Sequence, residues 1–246
     1  MATQESRWDF LRLAVADFLR QDWPQRELVI VHAGGDGFHA RLLELTREHA
    51  DIRCVRVPPG TVLGEMRNAA IDAARGDWVC QWDDDDRHHP ERLRRQFEHA
   101  CRVGADCAFL TDQLHLFLPS GDATWDDWQR EAYPMNLIQA TLLARRAVLC
   151  RYPPVQRGED TAQFVGLLRA GNKIARLSDH GWLYVYVTHA DNVSGYEHHR
   201  AIADAKGHSG AYLLNNENEL RRRVADYSPA LPTLHFRHTG GVLQIG

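Results

Sequence analysis

The stretch GEMRNAAIDAARGDWVCQWDDDDRHHPERLRRQ, residues 64–96, sets the fold class. Gly64 to Arg75 has helical spacing, Gly76-Asp77 makes a turn, and WVCQW (78–82) is an apolar strand that runs straight into four aspartates, Asp83 to Asp86. Pro90 then sits in the first turn of a helix whose inner face reads Leu93, Phe97 and Cys101. A helix, a strand and a helix with acids at the strand's C-terminal end form a unit of an open α/β sheet, whose strand ends are where ligands bind.

The same alternation extends in both directions. Upstream, Leu11, Ala14, Val15, Phe18 and Leu19 recur at helical spacing between Trp8 and Arg20, and ELVIV (27–31) follows as a strand apolar on both faces. The turn-rich HAGGDG (32–37), a helix from Ala40 to His49, and the strand IRCVRV closed by Pro58-Pro59-Gly60 come next. Downstream, DCAFLT (106–111) is a further strand, so right-handed crossovers and a mostly parallel sheet flanked by helices are expected. Beyond Thr111 the character changes. LHLFLPSGDATW reads as a hairpin around Ser120-Gly121-Asp122, followed by the apolar NLIQATLLA, a helix from Glu159 to Ala170, and the strands KIARL and GWLYVYV. A charged helix (Asn218 to Val224) and a hairpin turning on Gly240-Gly241 end the chain.

Composition narrows the function. The chain has 246 residues, 44% of them hydrophobic and 25% charged, with no Ser/Gly/Pro-rich linker, which describes one globular domain. Lys and Arg number 29 against 33 Asp and Glu, a net charge of -4, which argues against nucleic-acid partners and polybasic membrane binding. Apolar runs fall far short of the roughly 20 residues that span a bilayer, and the N-terminus has no signal-peptide core, so a cytoplasmic protein is expected. Five cysteines (Cys54, Cys80, Cys101, Cys107, Cys150) without a C-x-x-C pair read as reduced thiols.

Four adjacent carboxylates repel one another, and a divalent cation relieves that repulsion. Mg²⁺ and Mn²⁺ favour carboxylate oxygens, and Mg²⁺ is commonly held by one or two carboxylates plus substrate phosphates. Asp83 and Asp85 lie on one side of an extended segment, which suits this role. The alternative is a solvated acidic turn in which Asp86 caps the helix near Pro90.

The stretch 64–96 resembles the central signature of the family-2 glycosyltransferases of the GT-A fold: an Arg-Asn helix, a Gly turn and an apolar strand ending in an Asp-x-Asp motif. The resemblance extends upstream through FLRQDWPQRELVIV (18–31) and downstream through RGEDTAQFVGLLRAG (157–171) to YVYVTHADN (184–192), covering roughly residues 1–200. It implies a Rossmann-like α/β unit with a nucleotide-sugar-binding half (1–111), a smaller, antiparallel acceptor half (112–200), and residues 201–246 as an extension of the same domain. It also implies inverting transfer of a hexosyl or related group from a nucleoside-diphosphate donor to a hydroxyl of a glycan or lipid-linked acceptor. With a lipid-linked acceptor the protein would work at the inner face of the cell membrane.

The resemblance also assigns residues. Asp85 and Asp83 would hold the metal, with His189 after the strand GWLYVYV completing its shell, or His198-His199 in its place. Thr3, His32, Asp36, Arg67, Asn68, Asp83 and Asp84 would contact the donor, although Arg67 could equally serve to neutralise the aspartates. Departure of a diphosphate builds negative charge that a Lewis-acidic cation stabilises. The acceptor hydroxyl needs a carboxylate base, and the Glu-Asp motif makes Asp160 that base with Glu159 orienting the acceptor. The plainer reading of both is first-turn acids favoured by the helix dipole. Trp125, Trp128 and Tyr133 lie where an acceptor sugar could stack, or serve as packing.

Two departures stand out. Met1 to Gln4 align with a Pro-Thr-Tyr-Asn-like segment that follows the family's first apolar strand, so that strand is expected to be missing, through either an upstream start codon or a sheet that lacks it. Where the family has an aspartate that reads uracil, this chain has His32-Ala33 with Asp36 nearby, which weakens the case for a uridine donor. A catalytically inert GT-A-like scaffold is the competing reading, and a sugar nucleotidylyltransferase is disfavoured for want of a Gly-rich loop with a phosphate-binding lysine. The joint presence of Asp83, Asp85 and Asp160 favours an active transferase.

Overall fold

A computed structural model describes residues 1–192 and 195–246. The first strand, β1 (Ala2–Thr3), is two residues long. Helix α1 (Trp8–Leu19) follows and buries Leu11, Ala14, Val15 and Phe18, the stripe that the helical spacing predicts. Each such large apolar side chain contributes about 1.5–3 kcal/mol. Strand β2 (Leu28–His32) is buried at all five positions, and it pairs parallel with β1 and with β3 (Ile52–Arg56). Between β2 and β3, α2 (Asp36–Thr46) starts four residues ahead of the expected Ala40, because the loop HAGGDG closes directly into a helix at Gly35.

Helix α3 (Leu63–Ala73) leads to β4 (Trp78–Cys80), which stops before Gln81 rather than running to Trp82. A short β5 (Arg87–His88) and α4 (Arg92–Val103) come next. The buried residues of α4 are Arg92, Gln96 and Ala100, while Leu93 and Phe97 of the expected inner face are half-buried and Cys101 is exposed. Arg92 is fully buried between the rings of Trp82 and Tyr184, donating to the Gln81 carbonyl at 3.1 Å and to Gln96 at 3.2 Å. Leu93 and Phe97 instead line an open slot in the sheet.

Beyond α4 lie β6 (Cys107–Leu110), the hairpin β7 (Asp112–Phe117) and β8 (Asp122–Asp127), β9 (Leu143–Arg145), α5 (Glu159–Arg169), β10 (Ile174–Leu177) and β11 (Tyr184–Thr188). The chain continues through α6 (Tyr196–Lys206), α7 (Gly210–Asn215), α8 (Glu217–Ala225) and the hairpin β12 (Leu234–His238) and β13 (Gly241–Ile245). Three sheets result, ordered β1-β2-β3, β10-β6-β9-β4 and β13-β12-β8-β7-β11-β5. The first is wholly parallel and the other two are mixed. NLIQATLLA forms a 3-10 turn and the short β9 instead of one long element. Leu213, Leu220, Val224 and Phe236 of the last helices and hairpin pack in one apolar cluster with Leu114, Trp182 and Val185. No helix among the described residues is long and apolar enough to cross a membrane.

Candidate active site

The four aspartates leave the end of β4 and part company. The strand ends at Cys80 and the chain turns at Asp84 and Asp85, so Asp83 meets Arg67 while Asp85 meets Arg7 and His189, and the two do not share a side as expected. Asp83 faces α3, with Arg67 Nη2 at 2.9 Å and the Gln81 side-chain amide donating at 3.0 Å. Burial pushes the Asp83 carboxyl up, but Arg67 and Gln81 outweigh it and hold it below the ordinary carboxylate range. Asp84 accepts from Arg7 Nη1 at 3.0 Å. Its Oδ2, like the Thr3 hydroxyl, is buried with no hydrogen-bond partner among the described residues. Burial and the adjacent Asp85 charge push the Asp84 carboxyl up to about 7 against the pull of Arg7. Asp86 caps no helix: it accepts from the Val187 amide at 2.9 Å and from the Tyr184 hydroxyl, tying the acidic turn to β11.

Asp85 is left as the carboxylate that meets nitrogen groups from two directions. Its Oδ2 lies 2.9 Å from Arg7 Nη1 and 3.1 Å from His189 Nε2. His189 sits at the end of β11, its ring stacked on Phe10 of α1 at 4.3 Å between centroids. The Asp191 amide donates to His189 Nδ1 at 3.2 Å, which leaves the ring proton on Nε2, pointing at Asp85. Ligating a cation through Nε2 requires the proton on Nδ1, opposite that amide, so the geometry makes His189 an orienter of Asp85 rather than a ligand. Asp83, occupied by Arg67, is likewise not a free ligand. Among the described residues no three His, Cys, Asp or Glu side chains form a metal cage. One carboxylate suits a divalent cation whose remaining positions are taken by phosphate oxygens and water.

The acceptor-side acids open α5. Gly158 takes the left-handed conformation at φ 76° just before the helix, which brings Glu159 and Asp160 into its first turn. Glu159 is buried and accepts from Arg67 Nε at 3.0 Å; burial raises its carboxyl, and Arg67 opposes the rise only in part. Asp160 is half-buried and accepts from the Thr161 amide at 2.7 Å. The loop leading into α5 is clamped by α3: the Asn68 side chain donates to the Tyr152 carbonyl and accepts from the Tyr152 amide, both at 2.9 Å. Both polar atoms of Asn68 are thereby used on backbone, so it braces the loop instead of reaching toward a donor.

At the loop after β2, His32 is buried. Gly34 donates to its Nδ1 at 3.2 Å, so Nε2 carries the proton and faces His39 Nδ1 at 2.9 Å. Burial, followed by the neighbouring His39 and Arg56, lowers its basicity. Asp36 is almost fully exposed and pairs with Arg56 at 2.5 Å. Trp125 is buried with its indole nitrogen donating to Asp112 at 2.7 Å, which removes it as a sugar platform. Trp128 is half-buried with Lys206 over its ring, and Tyr133 stays exposed with Arg176 over its ring at 5.0 Å. His199 contacts the Tyr186 hydroxyl at 3.3 Å, and the imidazole that meets Asp85 is that of His189. The residues missed in the sequence are Arg7 and Phe10. Both lie near the N-terminus, and no local pattern signals that Arg7 meets the acidic turn or that Phe10 stacks on His189.

Known proteins resemble this chain in sequence and in fold. The model of glycosyl transferase family 2 matches residues 2–116. A 45-residue stretch, 18% of this chain, is 51% identical to the succinoglycan biosynthesis protein ExoO of Rhizobium meliloti (strain 1021), of whose length it spans 13%. The crystal structure of S. aureus TarS 1–349 superposes with a TM-score of 0.60 at 15% identity, covering 94% of this chain and 80% of that one. The UDP-GlcNAc complex of TarS 1–349 gives 0.60 at 14% identity over 92% of this chain and 66% of that one. Residues 2–116 are thus similar to glycosyl transferase family 2, and the fold of the chain is the GT-A fold.

Proposed function

We propose that this glycosyltransferase moves a hexosyl or related group from a nucleoside-diphosphate donor to a hydroxyl of a glycan or lipid-linked acceptor, with inversion at the anomeric carbon. The observation that carries the reading is the meeting of Arg7, His189 and Asp85 at a strand end, joined through Asp83 and Arg67 to the Glu159-Asp160 pair. A mechanism follows from the chemistry of these groups. Arg7 lies where it can meet the diphosphate, and His189 fixes the Asp85 carboxylate. Asp160 takes the proton of the acceptor hydroxyl as its oxygen attacks the anomeric carbon, and the bond from that carbon to the β-phosphate oxygen breaks. Mn²⁺ or Mg²⁺ held by Asp85 would supply Lewis-acid stabilisation of the departing diphosphate. The likeness to a succinoglycan biosynthesis protein supports a glycan acceptor. The UDP-GlcNAc complex of TarS supports a nucleotide-sugar donor.

Calorimetric titration of UDP and of GDP, with and without Mn²⁺, tests this. Metal-dependent binding that vanishes in Asp85→Ala is the expected result, with Asp160→Asn keeping nucleotide affinity and losing turnover. A folded protein that binds neither nucleotide would sink the proposal.

A further inference from the structure

A buried polar chain crosses three strands beneath α6 and ends at the residue before His189. Asp126 of β8, His115 of β7 and Thr188 of β11 are each at most 1% exposed. His115 Nδ1 lies 3.0 Å from Asp126 Oδ2, and its Nε2 lies 2.8 Å from the Thr188 hydroxyl. The Thr124 hydroxyl donates to the other Asp126 oxygen at 2.6 Å. An ionised carboxylate only accepts, so the proton of the neutral His115 ring belongs on Nδ1 and Nε2 accepts from Thr188. Donation therefore runs from Thr188 to His115 to Asp126. The His115 ring is itself held, stacked on Phe117 at 4.3 Å between centroids and edge-on to Tyr186 at 5.1 Å. Helix α6 covers this face, with Arg200 over the Phe117 ring and His199 against Tyr186.

Thr188 is where β11 stops and the candidate site begins. Its carbonyl accepts from the Leu118 amide at 2.9 Å on the β7 side, whereas β5, on the other edge, pairs only with Tyr184 and Val185. Strand pairing thus holds this last residue from one side, and the hydroxyl supplies a second attachment. Successive side chains of a strand alternate between faces, so fixing Thr188 beneath α6 aims His189 at the opposite face. There the imidazole stacks on Phe10 and meets Asp85 Oδ2 at 3.1 Å. Packing alone does not call for a polar chain here, because aliphatic side chains of similar size fill such a place without desolvating polar groups. What a paired chain adds is a single arrangement, since a rotated Thr188 would leave the His115 nitrogen buried and unpaired.

We propose that Thr188 is a positioning residue, anchored through His115 to Asp126 and holding His189 against Asp85; its functional weight rests on reading the Asp85 turn as the diphosphate end of a transferase site. Two measurements on Thr188→Val, Thr188→Ala and Thr188→Ser test it: nitrogen–proton correlation spectra of the histidine rings without nucleotide or metal, and calorimetry of UDP and GDP with Mn²⁺. Thr188→Val keeps the shape and loses the hydroxyl, and Thr188→Ala differs from Thr188→Ser by the hydroxyl alone. The wild type and Thr188→Ser should show His115 protonated at Nδ1 and His189 at Nε2. Thr188→Val and Thr188→Ala should keep the His115 pattern, average the two His189 tautomers and bind nucleotide about tenfold more weakly, with Thr188→Ser within about threefold of wild type. A wild-type His115 protonated at Nε2 alone overturns the proposal. So does a Thr188→Ser that binds no better than Thr188→Ala, or a His189 held to one tautomer in all three variants. If Thr188→Val does not fold, the comparison of Thr188→Ala with Thr188→Ser decides. A wild type that binds neither nucleotide defeats the transferase reading, and the His189 tautomers then decide the positioning role by themselves.

Discussion

Arg67 Nε lies 3.0 Å from Glu159 Oε1, joining residues 92 positions apart, and the same guanidinium reaches Asp83 at 2.9 Å. One buried cation thus couples the acidic turn after β4 to the first turn of α5. Removing a single member of a buried ionic set leaves its partners uncompensated, at about 3–5 kcal/mol. Arg67→Met should therefore lower the unfolding free energy, read from urea titration, by that order. Adding Asp83→Asn and Glu159→Gln to the same chain should recover most of the loss, because the stranded charges are then gone. A triple variant no more stable than the single one would show that the guanidinium acts by packing on Tyr152.

Arg7 holds both Asp84 and Asp85, and so competes with any cation for Asp85. Arg7→Gln should separate two affinities. Mn²⁺ alone should bind more tightly, and a nucleoside diphosphate should bind roughly tenfold or more weakly for the loss of a charge-assisted contact of about 1.5–3 kcal/mol. Calorimetry of each ligand separately checks this, and parallel weakening of both would mean that Arg7 merely supports the turn.

The order of elements was legible because it rests on local pattern. Leu11, Ala14, Val15 and Phe18 repeat at helical spacing, Leu28 to Val31 is apolar throughout, and Gly158 opens α5 just before its acids. What escaped is what distance in sequence hides. Arg92 reads as a surface residue until Trp82, Tyr184 and Gln96 enclose it, and Asn68 reads as a donor contact until Tyr152 takes both ends of its amide. The separation of Asp83 from Asp85 depends on a turn at Asp84 that four identical residues cannot announce. Helices α6 and α7 were likewise unreadable, since α6 buries only His199 and Ala203, and α7 is six residues long and buries only Leu213.

His189 offers a sharper test of how the site is held. With Nδ1 accepting from Asp191, its contribution is a proton donated to Asp85. His189→Gln can still donate through its amide and should keep nucleotide affinity with Mn²⁺ within a few-fold, whereas His189→Ala should lose about 10–100-fold, as removal of an outer-shell partner commonly does. Equal losses in the two variants would restore the imidazole as a metal ligand.

Gly64 sets the spacing between α3 and the loop that feeds α5. A Cβ there would sit 1.9 Å from the Pro153 carbonyl oxygen, a backbone atom with no rotamer to yield, and the Gly64 amide donates to Val155 at 3.0 Å. Gly64→Ala should cost about 1–3 kcal/mol in denaturant unfolding and reduce turnover more than nucleotide affinity, since the displaced loop carries Asp160. Gly37→Ala in α2 meets nothing within 4 Å and should be neutral or stabilise by about 0.4–1 kcal/mol.

His89 predicts how stability varies with pH. Its ring packs edge-on against Trp182 at 4.6 Å and Tyr227 at 5.4 Å, Nδ1 accepts from the Glu91 amide at 3.1 Å, and Nε2 lies 3.4 Å from Asp226. Burial lowers its pKa to about 4, against the opposing pull of Asp226 and Glu91 and with a smaller contribution from Arg223. Between pH 4 and 6.5 the unfolded chain binds a proton that the folded one refuses, so this residue's share of stability rises with pH through that window. The share is complete above pH 6.5 and lost on acidification. Its slope is at most about 1.4 kcal/mol per pH unit, and its total on the order of 1–3 kcal/mol. Urea unfolding of the wild type and His89→Gln at steps from pH 4 to 8 should give a shallower profile for the variant below pH 6.5 and parallel profiles above it. Profiles parallel over the whole range would mean that His89 accepts its proton in the folded protein, with Asp226 drawn in to pair with it.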